Sequence, residues 1–140
     1  MDKQDYDRLT KDLPTEKWCP GPFVHGYINA NNRANKLCCM SKIVDRFDGL
    51  SDLGKQFDDF WRGDKMVGIR DSFMKNKMPE PCDWYCGKYE DEGVYEESMR
   101  LQLLGKYDGH FDWEELEINI EAGNKYERPL DIDLRPGKLC

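Results

Sequence analysis

Residues 19–40 read CPGPFVHGYINANNRANKLCCM, and the fold follows from how this stretch turns. Phe23, His25 and Tyr27 alternate with Val24, Gly26 and Ile28, the two-residue period of a strand. Asn31 and Asn32 supply turn chemistry, because Asn tolerates positive φ. A return strand from Asn35 to Cys39 then completes a β-hairpin. Such a hairpin carries Cys19, at the start of one strand, toward Cys38 and Cys39, at the end of the other.

The period changes beyond the hairpin. From Ser51, Leu53, Phe57, Phe60 and Trp61 fall on one helical face, and after Asp64 so do Met66, Ile69 and Phe73. Ser51 and Asp64 are the expected N-caps, and both stripes read as core packing. MPEPC (78–82) should end the second helix, since Pro79 and Pro81 are excluded from a helical interior. CDWYCGKYEDEG (82–93) reads as a loop carrying Cys82 and Cys86. VYEESMRLQLL (94–104) reads as a helix with Tyr95, Met99 and Leu103 on one face. FDWEELEINIEAG (111–123) is either a short acidic helix or an irregular connector, and its charge run reads as a solvated face. A strand-like run follows, with Leu130, Ile132 and Leu134 alternating with Asp131, Asp133 and Arg135. The fold class is α+β.

The chain has 140 residues, 39% apolar and 35% charged, with a formal net charge of -7. That is one domain's worth of chain. Its apolar share is thin for a core, so a metal staple would help it. The charge balance repels a polyanionic duplex, which argues against nucleic-acid binding. No apolar run approaches membrane-spanning length, and residues 1–17, a polar leader or surface helix, lack the apolar stretch of a secretory signal. These features point to a cytoplasmic protein without membrane or nucleic-acid partners. In a reducing compartment, six cysteines are better suited to binding metal than to disulfides.

The cysteines fall at 19, 38, 39, 82, 86 and 140. A hairpin and a short Cys-rich segment can bring four thiolates together for tetrahedral S4 coordination. Adjacent strand side chains point to opposite faces, so one of Cys38 and Cys39 would ligate and the other would pack as a small buried hydrophobe. Structural zinc and an iron–sulfur cluster both fit this spacing, and unliganded buried thiols are the plain alternative.

At these residues the chain resembles the auxiliary-cluster domain of radical S-adenosylmethionine (SAM) proteins. The likeness is to the SPASM or shorter twitch type, in the subgroup that places this domain before the catalytic barrel. The matching features are Cys19, the run Pro22-Phe23-Val24-His25, the turn at Asn31-Asn32 and the pair Cys38-Cys39. Downstream, DGLSDLGKQFDDFWRGDKMVGIRDSFMKNKMPEPC (48–82) is similar to the family's two helices and Pro-containing Cys segment. EDEGVYEESMR (90–100) is similar to its Gly-x(n)-Ser-x-Arg segment. Two features depart from the pattern: three residues separate Cys82 from Cys86 where two are usual, and Asn replaces Gly in the hairpin turn. The resemblance implies that Cys19, Cys38, Cys82 and Cys86 hold an auxiliary 4Fe–4S cluster, with Cys39 as substitute for Cys38 and His25 in the surrounding shell. It divides the chain into a leader (1–17), the cluster domain (18–107), an acidic connector (108–128) and a first barrel strand (129–140).

In the family, Cys140 would be the first ligand of the Cys-x3-Cys-x2-Cys loop that holds a second 4Fe–4S cluster and SAM. The other two ligands, a Gly-rich SAM segment and the remaining barrel are not in this sequence. The expectation is therefore an N-terminal fragment that cannot cleave SAM alone. Its partner would be a barrel in cis or on a separate subunit, and the resemblance also implies a peptide or protein substrate. Two alternatives remain: a structural zinc module for protein interaction, and a stand-alone partner of a radical SAM subunit. If the last strand belongs to an absent barrel, 129–140 should be less well packed than the hairpin and helices.

Overall fold

The computed structural model describes residues 1–31, 33–49, 51–123 and 129–135. Helix α1 (Lys3–Thr10) opens the chain with a reciprocal cap, in which Asp2 and Asp5 each accept the other's backbone N–H. It lies on the surface, fixed through a ring contact between Tyr6 and Tyr95.

The hairpin is present with one change. Residues Gly21–Val24 form a helical turn (α2) instead of strand. Pro20 and Pro22 preset φ for it, and the N–H groups of Phe23 and Val24 both donate to the Pro20 carbonyl. Strand β1 (His25–Asn29) therefore begins two residues later than expected and pairs antiparallel with β2 (Ala34–Lys36), Ile28 opposite Asn35. The left-handed residue described in the turn is Arg33 (φ 57°), not Asn31. Asn31 instead donates its N–H to the Asn29 side chain.

Strand β3 (Asp45–Arg46) extends β2, and β4 (Asp131–Arg135) runs parallel to β1 in the register His25–Asp131. The strand order is β3-β2-β1-β4. Helices α3 (Leu53–Trp61) and α4 (Asp64–Met74) bury Phe57 and Trp61, and Met66, Ile69 and Phe73, as their spacing predicts. Their caps are Asp52 and Gly63, without side-chain bonds, and not Ser51 and Asp64. Phe57 lies so close over Gly26 that a Cβ there would sit 2.7 Å from its ring.

Residues 82–91 are helical, not a loop. Helix α4 has already ended by Asn76 (φ 58°), and Pro79 and Pro81 open the next helix, where a missing N–H costs nothing. Helix α5 (Glu80–Cys82) runs through a π-turn (Asp83–Gly87) into α6 (Lys88–Asp91). After a 3₁₀ turn (Tyr95–Glu97), α7 (Met99–Lys106) is capped by Ser98 and buries Arg100, Leu101, Leu103 and Leu104. The acidic stretch forms α8 (Trp113–Glu121).

β1 is buried along its whole length, whereas β4 leaves Ile132 44% and Leu134 54% exposed, and Leu130 just before it is 65% exposed. The described part of the last segment is thus less well packed than the hairpin, as expected. The Cys140 assignment lies outside the described residues. No barrel is formed by the strands described, and no described helix is long and apolar enough to cross a membrane.

Candidate functional site

Cys19, Cys38, Cys82 and Cys86 are free thiols, each 6–8% exposed. Three segments present them. Cys19 precedes α2, and Gly21 sits between its sulfur and the hairpin's return strand. A Cβ on Gly21 would lie 3.5 Å from the Cys19 Sγ and 3.3 Å from the Leu37 carbonyl oxygen. Only the absence of a side chain lets these two segments approach so closely. Cys38 leads a tight turn in which Ser41 Oγ accepts from Leu37 N–H at 2.9 Å. The next residue, Lys42, donates its N–H to the Pro81 carbonyl at 2.9 Å, which brings the Cys38 turn against α5 and Cys82. Cys82 and Cys86 share one face of the α5–π-turn helix, because positions four apart meet on a helix. Trp84, between them, faces solvent.

The sulfurs feel one another. Cys19 interacts electrostatically with Cys86 and Cys38, and Cys82 with all three others. Burial is the main influence on each. It pushes Cys19 and Cys82 well above the ordinary thiol range, raises Cys38 to about 11 and raises Cys86 as well. Without metal, all four are neutral thiols near pH 7.

Backbone donors oppose that shift. Gly21 N–H points at the Cys19 Sγ at 3.4 Å. The N–H groups of Met40 and Ser41 favour the Cys38 thiolate, and those of Arg100 and Met99, at the start of α7, favour that of Cys86. Such donors, with a helix N-terminus, are what a thiolate ligand needs. Cys39 is half-buried and disulfide-bonded, so it is neither the free packed hydrophobe expected of it nor available as a substitute ligand for Cys38.

Arg100 joins the segments. It is 1% exposed, and its Nη1 donates to the carbonyls of Glu16 (2.9 Å) and Trp18 (2.8 Å), just before Cys19. Its Nε and Nη2 hold the Glu90 carboxylate on α6, which also accepts from the Ser98 hydroxyl at 2.7 Å. The Ser-x-Arg segment was visible in the sequence, but its pairing with Glu90 was not. The nearest signal was a polar residue at 100, three and four places before Leu103 and Leu104 on a buried helical face.

His25 belongs to a different group. Its Nδ1 lies 2.8 Å from the Tyr107 hydroxyl, which donates to Asp131 Oδ2 at 3.3 Å, and Lys106 pairs with the same carboxylate at 2.8 Å. Burial, then Lys106, lowers the basicity of His25. A neutral ring with its proton on Nδ1 completes the chain of donors, which ties β4 to β1 and α7. The hydrogen bond of His25 thus goes to Tyr107, not to a thiol.

Among the described residues, no three His, Cys, Asp or Glu side chains form a group that could hold a metal ion as they stand. A cleft of about 360 Å³ lies between β3 and the α3–α4 junction, and one of about 340 Å³ between α1 and α8; none of the four thiols lines either. Compared with known proteins, the chain matches no family model, no curated protein and no solved structure.

Proposed function

We propose that the chain is an iron–sulfur auxiliary domain of a radical SAM protein, acting in the cytoplasm beside a barrel carried in cis or by a second subunit. Cys19, Cys38, Cys82 and Cys86 would hold the cluster, of 4Fe–4S type. One observation carries this reading: four buried, disulfide-free thiols from three separate segments lie within electrostatic reach of one another, with backbone N–H groups turned toward three of them. Four-cysteine ligation suits such a cluster.

Binding either metal group asks the thiol segments to close inward. A cluster, with several metal atoms between its ligands, asks for less closure than a single zinc, whose four sulfurs sit about 2.3 Å from the ion. The bound cluster would supply one-electron redox capacity. The chain's own residues would hold it: Gly21, Ser41 and the start of α7 would donate toward the thiolates, while Leu103, packed beside Gly21, would help keep water out. The sequence lacks a complete Cys-x3-Cys-x2-Cys loop, so SAM cleavage is assigned to the barrel.

Among the described strands β4 lies at the edge of the sheet with Ile132 and Leu134 exposed, which supports a first barrel strand whose neighbour would pair with its edge and whose barrel helices would cover its face. Anaerobic reconstitution with iron and sulfide tests the proposal. A brown protein absorbing near ~400 nm is expected, and Cys82→Ser should abolish the colour. A colourless protein holding one tightly bound zinc would overturn the cluster reading in favour of the zinc module.

A further inference from the structure

We propose that the cleft between β3 and the α3–α4 junction binds an organic cation with N–H donors, a guanidinium or an alkylammonium group. This site stands apart from the cluster reading, since none of the four thiols lines the cleft.

A buried amide marks it. Asn35, in the middle of β2, lines the cleft and is 1% exposed. Ile28 on β1 and Asp45 on β3 are its cross-strand neighbours, so the sheet register fixes its place. Its side-chain oxygen is buried, and no described donor reaches it. A buried acceptor without a donor has lost its hydration for nothing in return, and folded proteins rarely keep one. A leucine would fill the same space without that cost. Two side chains on the cleft wall could donate, and both are engaged elsewhere. Gln56 Nε2 donates to the Ser51 carbonyl at 2.8 Å, and Lys65 Nζ pairs with Asp45 at 3.4 Å. The Asn35 oxygen is thus suited to a donor from outside the chain.

Charge and shape select a cation. Asp45, Asp59 and Asp64 line the cleft against Arg46 and Lys65, in a chain of net charge -7. An anion would meet Asp64 already placed in the first turn of α4, and it would bring Asn35 no donor. Phe47 and half-buried Phe60 offer apolar surface to an alkyl stem and ring faces to a cation. A volume of about 360 Å³ takes one side-chain-sized group, at the low end for small-molecule sites. The Lys65–Asp45 bridge spans the cleft from α4 to β3, and both side chains are exposed. Exposed pairs of this kind are weak. The ligand's charge therefore replaces Lys65 at Asp45, while its N–H reaches Asn35.

Calorimetric titration of the full chain with n-butylguanidinium tests the site. Saturable binding at millimolar concentration is expected. N-butylurea, which keeps donors without the charge, and butyltrimethylammonium, which keeps the charge without donors, should each bind about tenfold more weakly or worse. Lys65→Gln should tighten binding about two- to fivefold and Asp45→Asn weaken it by a similar factor. Asn35→Leu should lose about tenfold or more. If that variant does not fold, the Lys65 and Asp45 variants still decide, because both positions are exposed. Acetyl-Gly-Arg-Gly-amide separates two sources of the same chemistry. Tighter binding than butylguanidinium assigns the site to an arginine side chain of a partner, and weaker binding assigns it to a free small cation. No saturable binding, equal binding of butyltrimethylammonium, or shifts of one sign in Lys65→Gln and Asp45→Asn would overturn the proposal. None of these readouts involves iron or sulfide, so failure of the cluster reading leaves them unchanged.

Discussion

Raising the pH of the reduced, metal-free protein should unfold it through its buried thiols. An ordinary thiol titrates near 9.0, and Cys38 in the fold titrates at about 11. The folded state therefore keeps a proton that the unfolded chain gives up. Stability from this source is fully present below pH 9 and is lost as the pH rises from there to about 11. For Cys38 alone the loss is about 1.4 kcal/mol by pH 10 and about 2.7 kcal/mol at its limit, at 1.36 kcal/mol per unit. Burial pushes Cys19 and Cys82 in the same direction, so they steepen the loss over the same range. Even the share of Cys38 alone is measurable against the roughly 5–15 kcal/mol typical of a domain. Urea unfolding under anaerobic, reducing conditions with chelator would measure the slope, and Cys38→Ala should flatten it by one thiol's share. A stability that stays level from pH 8 to 10, or an equal slope in Cys38→Ala, would show that these thiols are not desolvated as described.

Gly26→Ala should cost about 1–3 kcal/mol by overpacking, since the new Cβ would meet the Phe57 ring at 2.7 Å; denaturant unfolding would read the loss, and Phe57→Leu in the same background should recover part of it. Tyr107→Phe leaves His25 and Asp131 without their shared hydroxyl and should cost about 1–3 kcal/mol. The β4 amides should then exchange faster, and unchanged protection would mean that the network does not anchor the strand. On β4 itself, Ile132→Asn with Leu134→Asn should stay within about 0.5 kcal/mol per site, as at exposed positions. Ile28→Ala on the buried neighbouring strand should cost about 2–5 kcal/mol. Equal losses by thermal unfolding would show that the β4 face is already packed.

Local periodicity made the hairpin and the faces of α3 and α4 legible, because Phe57, Trp61, Met66, Ile69 and Phe73 bury where a 3.6-residue repeat puts them. Proline was the main source of misreading. Pro79 and Pro81 do mark the end of α4, yet Pro22 and Pro81 each also sit in the first turn of a helix, where the same ring geometry is favourable. The parallel pairing of β1 with β4 joins residues about a hundred positions apart, and no local pattern encodes that. The four thiols of the candidate site were legible because cysteine is scarce and chemically marked. Arg100 and Glu90 were not, since a charged residue on a helix ordinarily faces water. Ten residues and a change of helix separate the two partners.

The three-residue spacing of Cys82 and Cys86 takes on a physical meaning in this light. Three intervening residues would splay two thiols if the segment were an open loop, as the prolines suggested. In a π-turn, i→i+5 bonding widens the helix so that a little more than four residues complete a turn, and residues four apart return to nearly the same direction. Trp84, midway between the two cysteines, is 46% exposed, while both cysteines are buried. The extra residue is thus absorbed by the wider turn, and its cost is the strain of a rare helix. Such turns recur where a helix must place a functional side chain. In this chain the turn carries Cys86, and the start of α7, led by Ser98, meets it with the N–H groups of Met99 and Arg100. Spacing, turn type and helix cap therefore form one arrangement, and a change in any one of them would misdirect the Cys86 thiol.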